Sequence, residues 1–268
     1  DIKGKAFGQP IWRLLGGARD KCPVYATFGF GFYRAEELAE AATKWQAKGF
    51  NSLKMTVGNQ ALARRNEPRL LGDVILEDAN RVETVRMAAG PEAELFIDAN
   101  CSLDLYHARQ LCQMIEPFHI EFFEEPITQN DIRHMAELRS QTTIRLACGQ
   151  NEGQAYRFRD MMIAGAVDII QPNVAITGGF TQCQKIAALA NSFNISVDNG
   201  GAWPFFNQHL QAGLSNGGLV EYHYSSVEVC KQLYIGLPEP KEGWLKMTNT
   251  PGLGFELNIA ALSHFEID

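Results

Sequence analysis

Short runs rich in β-branched and aromatic residues alternate along the chain with longer segments in which apolar residues recur at steps of three and four. The short runs predict β-strands, and the longer segments predict amphipathic helices. The predicted strands cover residues 22–28, 51–57, 93–99, 120–125, 144–148, 167–171, 194–198 and 218–222. The clearest helical segments read AEELAEAATKWQAKG, LDLYHARQLCQMIEP and TQCQKIAALANSF. This alternation is typical of βα units and a parallel sheet.

The number of strands indicates the fold. Eight strands, each followed by a helix except at the end, predict an α/β fold of the TIM type, a (β/α) barrel with parallel strands. The alternative is a doubly wound open sheet. That fold is disfavoured because no GxGxxG sequence follows the first predicted strand.

Composition narrows the range of partners. The chain has 268 residues and a net charge of −7, and it contains no run of Lys or Arg, so we expect neither a nucleic acid nor a membrane as partner. No apolar stretch reaches the roughly 18 residues that a membrane-spanning helix needs. The six cysteines lack CxxC spacing, and the first residues lack the apolar core of a signal peptide. Both features favour a reducing, cytoplasmic location.

Polar side chains follow the predicted strands, at the end where a barrel carries its active site. Asp98, Glu124 and Gln150 succeed one another at intervals of 26 residues, so they occupy equivalent places in three successive βα units. Oxygen ligands without His or Cys are those that Mg²⁺ prefers. A single carboxylate at such a place more often caps the next helix. Three oxygen donors at one spacing, with Lys54 one strand earlier, favour a metal site.

Several segments carry a resemblance to a known family. They read DIKGKAFGQPIWRLLGG, FIDAN, FFEEPI, ACGQNE, DIIQPNVAITGGFTQCQKIAALA and TPGLGFEL. In order and spacing they are similar to the mandelate racemase and muconate lactonizing branch of the enolase superfamily, over essentially the whole chain. The resemblance implies a barrel joined to an α+β capping domain. Residues 1–20 would then end the N-terminal capping segment, most of which this chain lacks; residues 21–242 would form the catalytic barrel, and residues 243–268 would return to the capping domain.

The chemistry that the resemblance implies is removal of the proton α to a carboxylate, giving an enediolate held by Mg²⁺. The chain would be a racemase or dehydratase acting on a small-molecule carboxylate: a hydroxy acid, a sugar acid or an amino-acid derivative. Because relatives of this kind tend to assemble as homo-oligomers, we also expect this chain to form a homo-oligomer. Asp98 and Glu124 match the first two metal ligands of the family. Gln150 matches the third, where the family usually has Glu or Asp.

Further site residues follow from the same resemblance. Lys54 matches the first lysine of a KxK motif, and Thr56 stands at the second. Asn100 matches a polar neighbour of the site, and Glu221 matches an acid that hydrogen-bonds the substrate carboxylate in some members. A Lys54 side chain desolvated beside the cation is expected to have a lowered pKa and to act as a base.

The Asp–His dyad of the family is altered in this chain. Asn173 stands at the Asp position, and the His position falls on Gly200, or on Asp198 in another alignment. The expected acid/base groups are therefore Lys54, Asp198 and His223. The alternative for His223 is that it lies at the rim of the barrel and forms its hydrogen bonds with water.

Two other functions remain open. One is a degenerate or incomplete family member with little activity, in which Gln150 weakens the metal site by removing a negative charge. The other is a non-catalytic, oligomeric binding scaffold. Its interaction loops would be residues 28–33 and 199–206, although aromatic residues there more often pack at the barrel mouth.

Overall fold

The structure of the protein is a computed structural model that describes residues 1–58, 70–262 and 264–265. Residues 59–69 of the expected barrel, and residues 263 and 266–268 of the expected C-terminal segment, lie outside the described part. Among the described residues, no helix is both long and apolar enough to cross a bilayer.

All eight predicted strands are present, and they pair in parallel around a barrel. They are β1 (Lys21–Phe28), β2 (Ser52–Thr56), β3 (Glu94–Asp98), β4 (Ile120–Glu124), β5 (Arg145–Cys148), β6 (Ile169–Ile170), β7 (Ser196–Val197) and β8 (Val220–His223). Each strand pairs with the next from β1 to β7, and β8 pairs with β1. Between β7 and β8 the ring closes through a parallel bridge of Val197 with Gly217. The predicted barrel is thus confirmed.

The strands β6 and β7 are shorter than the predicted segments. Pro172 follows β6 closely and has no N–H to donate, so the ladder cannot continue through it. Three further strands were not predicted because they are only two or three residues long. They are β9 (Tyr234–Ile235), β10 (Trp244–Lys246), which pairs antiparallel with β1, and β11 (Glu256–Leu257), which pairs antiparallel with β9.

Helices cover the outside of the barrel. They are α1 (Ile2–Ala6), α2 (Ile11–Leu14), α3 (Ala35–Ala47), α4 (Leu71–Ala89), α5 (Leu105–Ile115), α6 (Ile132–Arg139), α7 (Ala155–Ile163), α8 (Gly179–Ser192), α9 (Pro204–Gly213), α10 (Tyr224–Leu233) and α11 (Ile259–Leu262). Asp104 caps α5 and Asp131 caps α6 through backbone N–H groups. These two helix caps therefore come from loop residues, and not from the carboxylates at the ends of β3 and β4.

Apolar side chains fill the barrel interior. Tyr25, Phe96, Phe122, Ala147 and Ile169 form this inner cluster, in which the rings of Phe96 and Phe122 stack 4.3 Å apart. A larger apolar cluster lies between the sheet and the helices. The inner cluster makes a solid floor, and the polar side chains at the carboxyl ends of the strands stand above it.

The first and last segments of the chain contact each other. Trp12 donates a hydrogen bond from Nε1 to the Thr248 carbonyl at 2.8 Å, and Lys5 forms an ion pair with Glu256 at 2.9 Å. These contacts join residues 1–20 to the segment after residue 243. The assignment of both to a capping domain remains a prediction.

Candidate active site

Four charged side chains meet inside the mouth of the barrel. Lys54 Nζ lies 2.6 Å from Glu124 Oε2, 2.8 Å from Glu221 Oε1 and 3.3 Å from Asp98 Oδ2. All four residues are buried. Asp98 and Glu124 are paired in register on β3 and β4, as their equal spacing in the sequence predicted. Lys54 lies on β2, and its long side chain reaches the carboxylates of both Asp98 and Glu124.

The pKa of Lys54 is raised by its neighbours, whereas the expectation for a lysine beside a bound cation was a lowered pKa. Burial alone lowers it, but the charges of Glu124, Glu221 and Asp98 outweigh burial and leave the pKa well above its ordinary value. The expectation of a lowered pKa was for a lysine beside a bound cation, and it stays a prediction. In this arrangement the Lys54 ammonium is held as a positive charge among three carboxylates.

Glu221 has both of its carboxylate oxygens occupied by protein donors. Oε1 accepts from Lys54 and from the Thr27 hydroxyl at 2.6 Å, and Oε2 accepts from the Ala202 backbone N–H at 2.6 Å. Burial raises the pKa of Glu221, but Lys54, His223 and these hydrogen bonds bring it below its ordinary value. The residue holds Lys54 in place.

Glu124 has one oxygen bound and one free. Oε2 accepts from Lys54 and from Gln171 Nε2 at 2.9 Å, whereas Oε1 is buried without a hydrogen-bond partner. Burial and the charge of Asp98 raise the pKa of Glu124 well above its ordinary value, against the effect of Lys54. The free oxygen and the excess of carboxylates over ammonium groups make this a place for an added cation or proton.

Asp98 and its neighbour Asn100 form a tight turn after β3. The backbone N–H of Asn100 donates to Asp98 Oδ1 at 2.7 Å, and Asn100 takes a left-handed conformation with φ 47°. Asn100 therefore orients Asp98 through its backbone.

Gln150 directs its amide nitrogen towards acids. Nε2 lies 3.1 Å from Glu125 Oε2 and 3.4 Å from Asp98 Oδ2. Burial and Asp98 raise the pKa of Glu125, although hydrogen bonds from Asn130, Gln150 and Cys101 oppose the rise. Gln150 thus contacts Asp98, the first predicted ligand, and Glu125, and in this structure it acts as a donor to both.

The side chains at the barrel mouth include donors that could bind a metal ion. Within the described ranges, no group of three or more His, Cys, Asp and Glu side chains is arranged to hold a metal ion. The available donors are nevertheless oxygens, three carboxylates face one ammonium, and Glu124 Oε1 is unpartnered. The chemistry of these residues fits a hard cation such as Mg²⁺.

Thr56 carries no acid/base group and donates its hydroxyl to the Gly29 carbonyl at 3.2 Å. Across the mouth, Asn173 Nδ2 donates to the carbonyls of Gly200 at 2.7 Å and Gly201 at 2.9 Å. A Cβ atom at Gly200 would lie 2.9 Å from Glu124 Oε1, so a side chain there would have to displace the end of Glu124. The two positions predicted for the dyad, Asn173 and Gly200, are thus joined by a hydrogen bond from the Asn173 amide to the turn.

Asp198 faces away from the mouth, contrary to its predicted acid/base role. It accepts from the Leu219 backbone N–H at 2.7 Å and lines a cavity of about 500 Å³ with Arg145, which begins β5. Burial raises the pKa of Asp198 to about 6. The strand β7 is only two residues long, and Asp198, just after it, turns towards the loop before β8.

His223 ends β8 at the mouth and is half-buried. Its Nδ1 lies 3.0 Å from Ser225 Oγ, and its ring lies 5.4 Å from that of Phe30. Burial lowers the pKa of His223 despite the nearby charge of Glu221. The neutral form of this imidazole, which can accept a proton, therefore persists to lower pH than in an ordinary histidine.

The two loops expected to contact partners differ in exposure. In the first, Phe32 is 73% exposed, while Phe30 packs against His223. In the second, Asn199, Gly200 and Phe205 are buried. The second loop is thus part of the site wall rather than an interaction surface.

Three residues that shape the mouth were missed by sequence reasoning. Gln171 holds Glu124, and its only signal was its place at the end of the sixth predicted strand. Thr27 holds Glu221 from β1. Arg81, on α4, donates to the carbonyls of Gly29 and Phe30 at 2.8 and 3.0 Å; its signal was an arginine inside the apolar face of a helix.

Comparison with known proteins shows the family of the chain. The family described as enolase C-terminal domain-like matches residues 37–261. The chain belongs to this family. The resemblance to the enolase superfamily is therefore confirmed.

The curated relatives of the chain include D-galactonate dehydratases. The chain is 33% identical to D-galactonate dehydratase of Klebsiella pneumoniae (strain 342) over 198 residues, which are 74% of this chain and 50% of that protein. It thus spans about half the length of the curated relatives it matches.

Two solved structures share its fold. The 3,6-anhydro-D-galactonate cycloisomerase from Zobellia galactanivorans is 31% identical, with a TM-score of 0.88 over 100% of this chain and 73% of that one. A mandelate racemase/muconate lactonizing enzyme from a marine actinobacterium, in complex with magnesium, is 29% identical, with a TM-score of 0.83 over 97% of this chain and 70% of that one.

Proposed function

We propose that the chain is the barrel part of an enzyme that removes the proton α to the carboxylate of a sugar acid or related hydroxy acid, as a dehydratase or racemase. The observation that carries the proposal is the buried Lys54 cluster with the imidazole of His223 at the same mouth, at the end of β8. The likeness to D-galactonate dehydratase supports the substrate class.

The chemical difficulty is that this proton is very weakly acidic, so the charge that develops on the substrate must be stabilised by groups already in place. Lys54 supplies a positive charge, because the three neighbouring carboxylates raise its pKa and keep the ammonium protonated. His223 accepts the proton through its imidazole, which ends β8 at this mouth. Glu221 fixes the ammonium of Lys54 by accepting one of its hydrogen bonds at 2.8 Å.

We propose Mg²⁺ as the cofactor, held by Asp98, Glu124 and Gln150. The unpartnered Glu124 Oε1 and the excess of carboxylates support this set. Gln150 would present its carbonyl oxygen in place of its nitrogen, an exchange that an amide makes by turning over. When bound, the cation would stabilise negative charge on the substrate carboxylate.

The proposal is tested with the full chain and a panel of aldonic acids that includes D-galactonate. With Mg²⁺ in D₂O, we expect deuterium at the α carbon of at least one acid, measured by mass spectrometry. Formation of a 2-keto-3-deoxy acid would distinguish dehydration from racemisation. Folded, Mg²⁺-bound protein that exchanges no α proton on any acid would overturn the proposal.

A second candidate is a family member with a weakened metal site and little activity. The orientation of Gln150, which points an N–H donor at Asp98, favours it. Calorimetry decides between the two, since the second candidate predicts no Mg²⁺ binding at millimolar metal.

The cellular setting belongs to the same proposal. The six free cysteines support a reducing cytoplasm. A capping domain that includes residues 1–20 and 243–268, and assembly as a homo-oligomer, are proposed on the likeness to the family. Light scattering of the purified chain would measure the oligomeric state.

A further inference from the structure

The turn after β7 has an unusual backbone. Gly201, Ala202 and Trp203 are all left-handed, with φ of 72°, 67° and 59°. A left-handed conformation is readily taken by glycine but is costly for Ala and Trp. Such a turn persists only where its surroundings hold it.

The side-chain amide of Asn173 supplies part of that support, together with the amides of Asn199 and Asn207. Its Nδ2 lies 2.7 Å from the Gly200 carbonyl, 2.9 Å from that of Gly201 and 3.3 Å from that of Ala202. Its Oδ1 accepts from Asn207 Nδ2 at 3.1 Å. The amide is thereby fixed with its donor side towards the turn. A carboxylate at this place would set acceptor oxygens against carbonyl oxygens.

The 200–203 turn also supports the charged cluster around Lys54. The backbone N–H of Ala202 donates to Glu221 Oε2 at 2.6 Å, while Glu221 Oε1 accepts from Lys54 at 2.8 Å. A continuous set of contacts therefore runs from Asn173 through the turn and Glu221 to Lys54.

We propose that Asn173 is a positioning residue that holds the 200–203 turn and, through Ala202 and Glu221, keeps the Lys54 ammonium in place between its carboxylates. Asn173, which the resemblance places at the acid of the family dyad, would thus hold the turn instead of a histidine. The inference rests on the proposed function only in taking this mouth as the reaction site, and its test needs no turnover.

The test uses NMR of the full chain with ¹⁵N-labelled backbone and lysine side chains. Lys54 is buried and the other lysines are exposed, so Lys54 should give the ammonium signal that exchanges slowly with water. We expect Asn173→Ala and Asn173→Asp to speed exchange of the Ala202 amide at least tenfold and to remove the slow Lys54 signal. The matched control is Val174→Ala, which truncates the neighbouring buried side chain without touching the turn. It should keep both signals.

The results for the Asn173 and Val174 variants distinguish this inference from a general loss of structure. A folded Asn173→Ala protein that retains the Ala202 protection and the Lys54 signal would overturn the inference, as would a Val174→Ala protein that loses both. If Asn173→Asp does not fold, Asn173→Ala decides. A chain that passes this test yet exchanges no α proton would count against the proposed function alone.

Discussion

Lys54 Nζ lies 2.6 Å from Glu124 Oε2, and neither side chain is exposed to solvent. An ion pair of this kind is stable only while both partners remain, because a buried charge without its partner is costly. Around Lys54 the acids outnumber the base, since Asp98 and Glu221 also contact it. We expect this excess of acids to affect both the stability of the mouth and the binding of the proposed cation.

The first prediction concerns stability. Lys54→Met leaves three carboxylates without their ammonium and should lower the free energy of unfolding by about 3–5 kcal/mol, as measured by urea denaturation. Lys44→Met is the matched control, since Lys44 pairs with Glu40 on the surface and should cost about 1 kcal/mol at most. Equal losses in the two variants would show that the buried cluster contributes no special stability.

The second prediction concerns the metal. Gln150→Glu restores a carboxylate next to Asp98 and should tighten Mg²⁺ binding at least tenfold by calorimetry. Asn151→Asp is the control, because Asn151 also donates to Glu125, at 2.6 Å, yet is not a proposed ligand. If Asn151→Asp tightens binding as much as Gln150→Glu, the effect is one of charge alone and Gln150 is not a ligand.

The third prediction concerns Asp198. Its folded pKa of about 6 exceeds the unfolded value of 3.8, so stability from this group is present below pH 3.8 and is lost as the pH rises through 6. Asn at this place still accepts from Leu219 but does not ionise. Asp198→Asn should therefore raise the free energy of unfolding by about 2–3 kcal/mol at pH 7.5, with the gain vanishing towards pH 4. Loss of α-proton exchange in this variant would restore Asp198 as an acid/base group.

The fourth prediction concerns pH dependence. Because burial lowers the pKa of His223, the neutral form persists below the ordinary imidazole value and is lost only as the pH falls through the lowered pKa. The α-proton exchange rate should therefore fall on the acid side with an apparent pKa below 6.5. A rate that declines already above that value would assign the proton transfer to another group.

Several parts of this site followed from the sequence, and the reasons are physical. Equal spacing in βα units placed Asp98 beside Glu124, because parallel strands in register repeat the same geometry. The direction of the pKa shift of Lys54 did not follow, since it depends on how many carboxylates converge in space. Asp198 was misplaced because side-chain alternation could not be counted through a two-residue strand. The role of Asn173 was hidden because it depends on a left-handed turn at Ala202 and Trp203.

The central claim is that His223 accepts the α proton, and one comparison tests it most directly. The rate of deuterium incorporation at the α carbon is measured for the unchanged chain, for His223→Gln and for His134→Gln, an exposed histidine on α6. We predict a loss of about 100-fold or more for His223→Gln and no loss for His134→Gln. A folded His223→Gln protein that exchanges as fast as the unchanged chain would contradict the account.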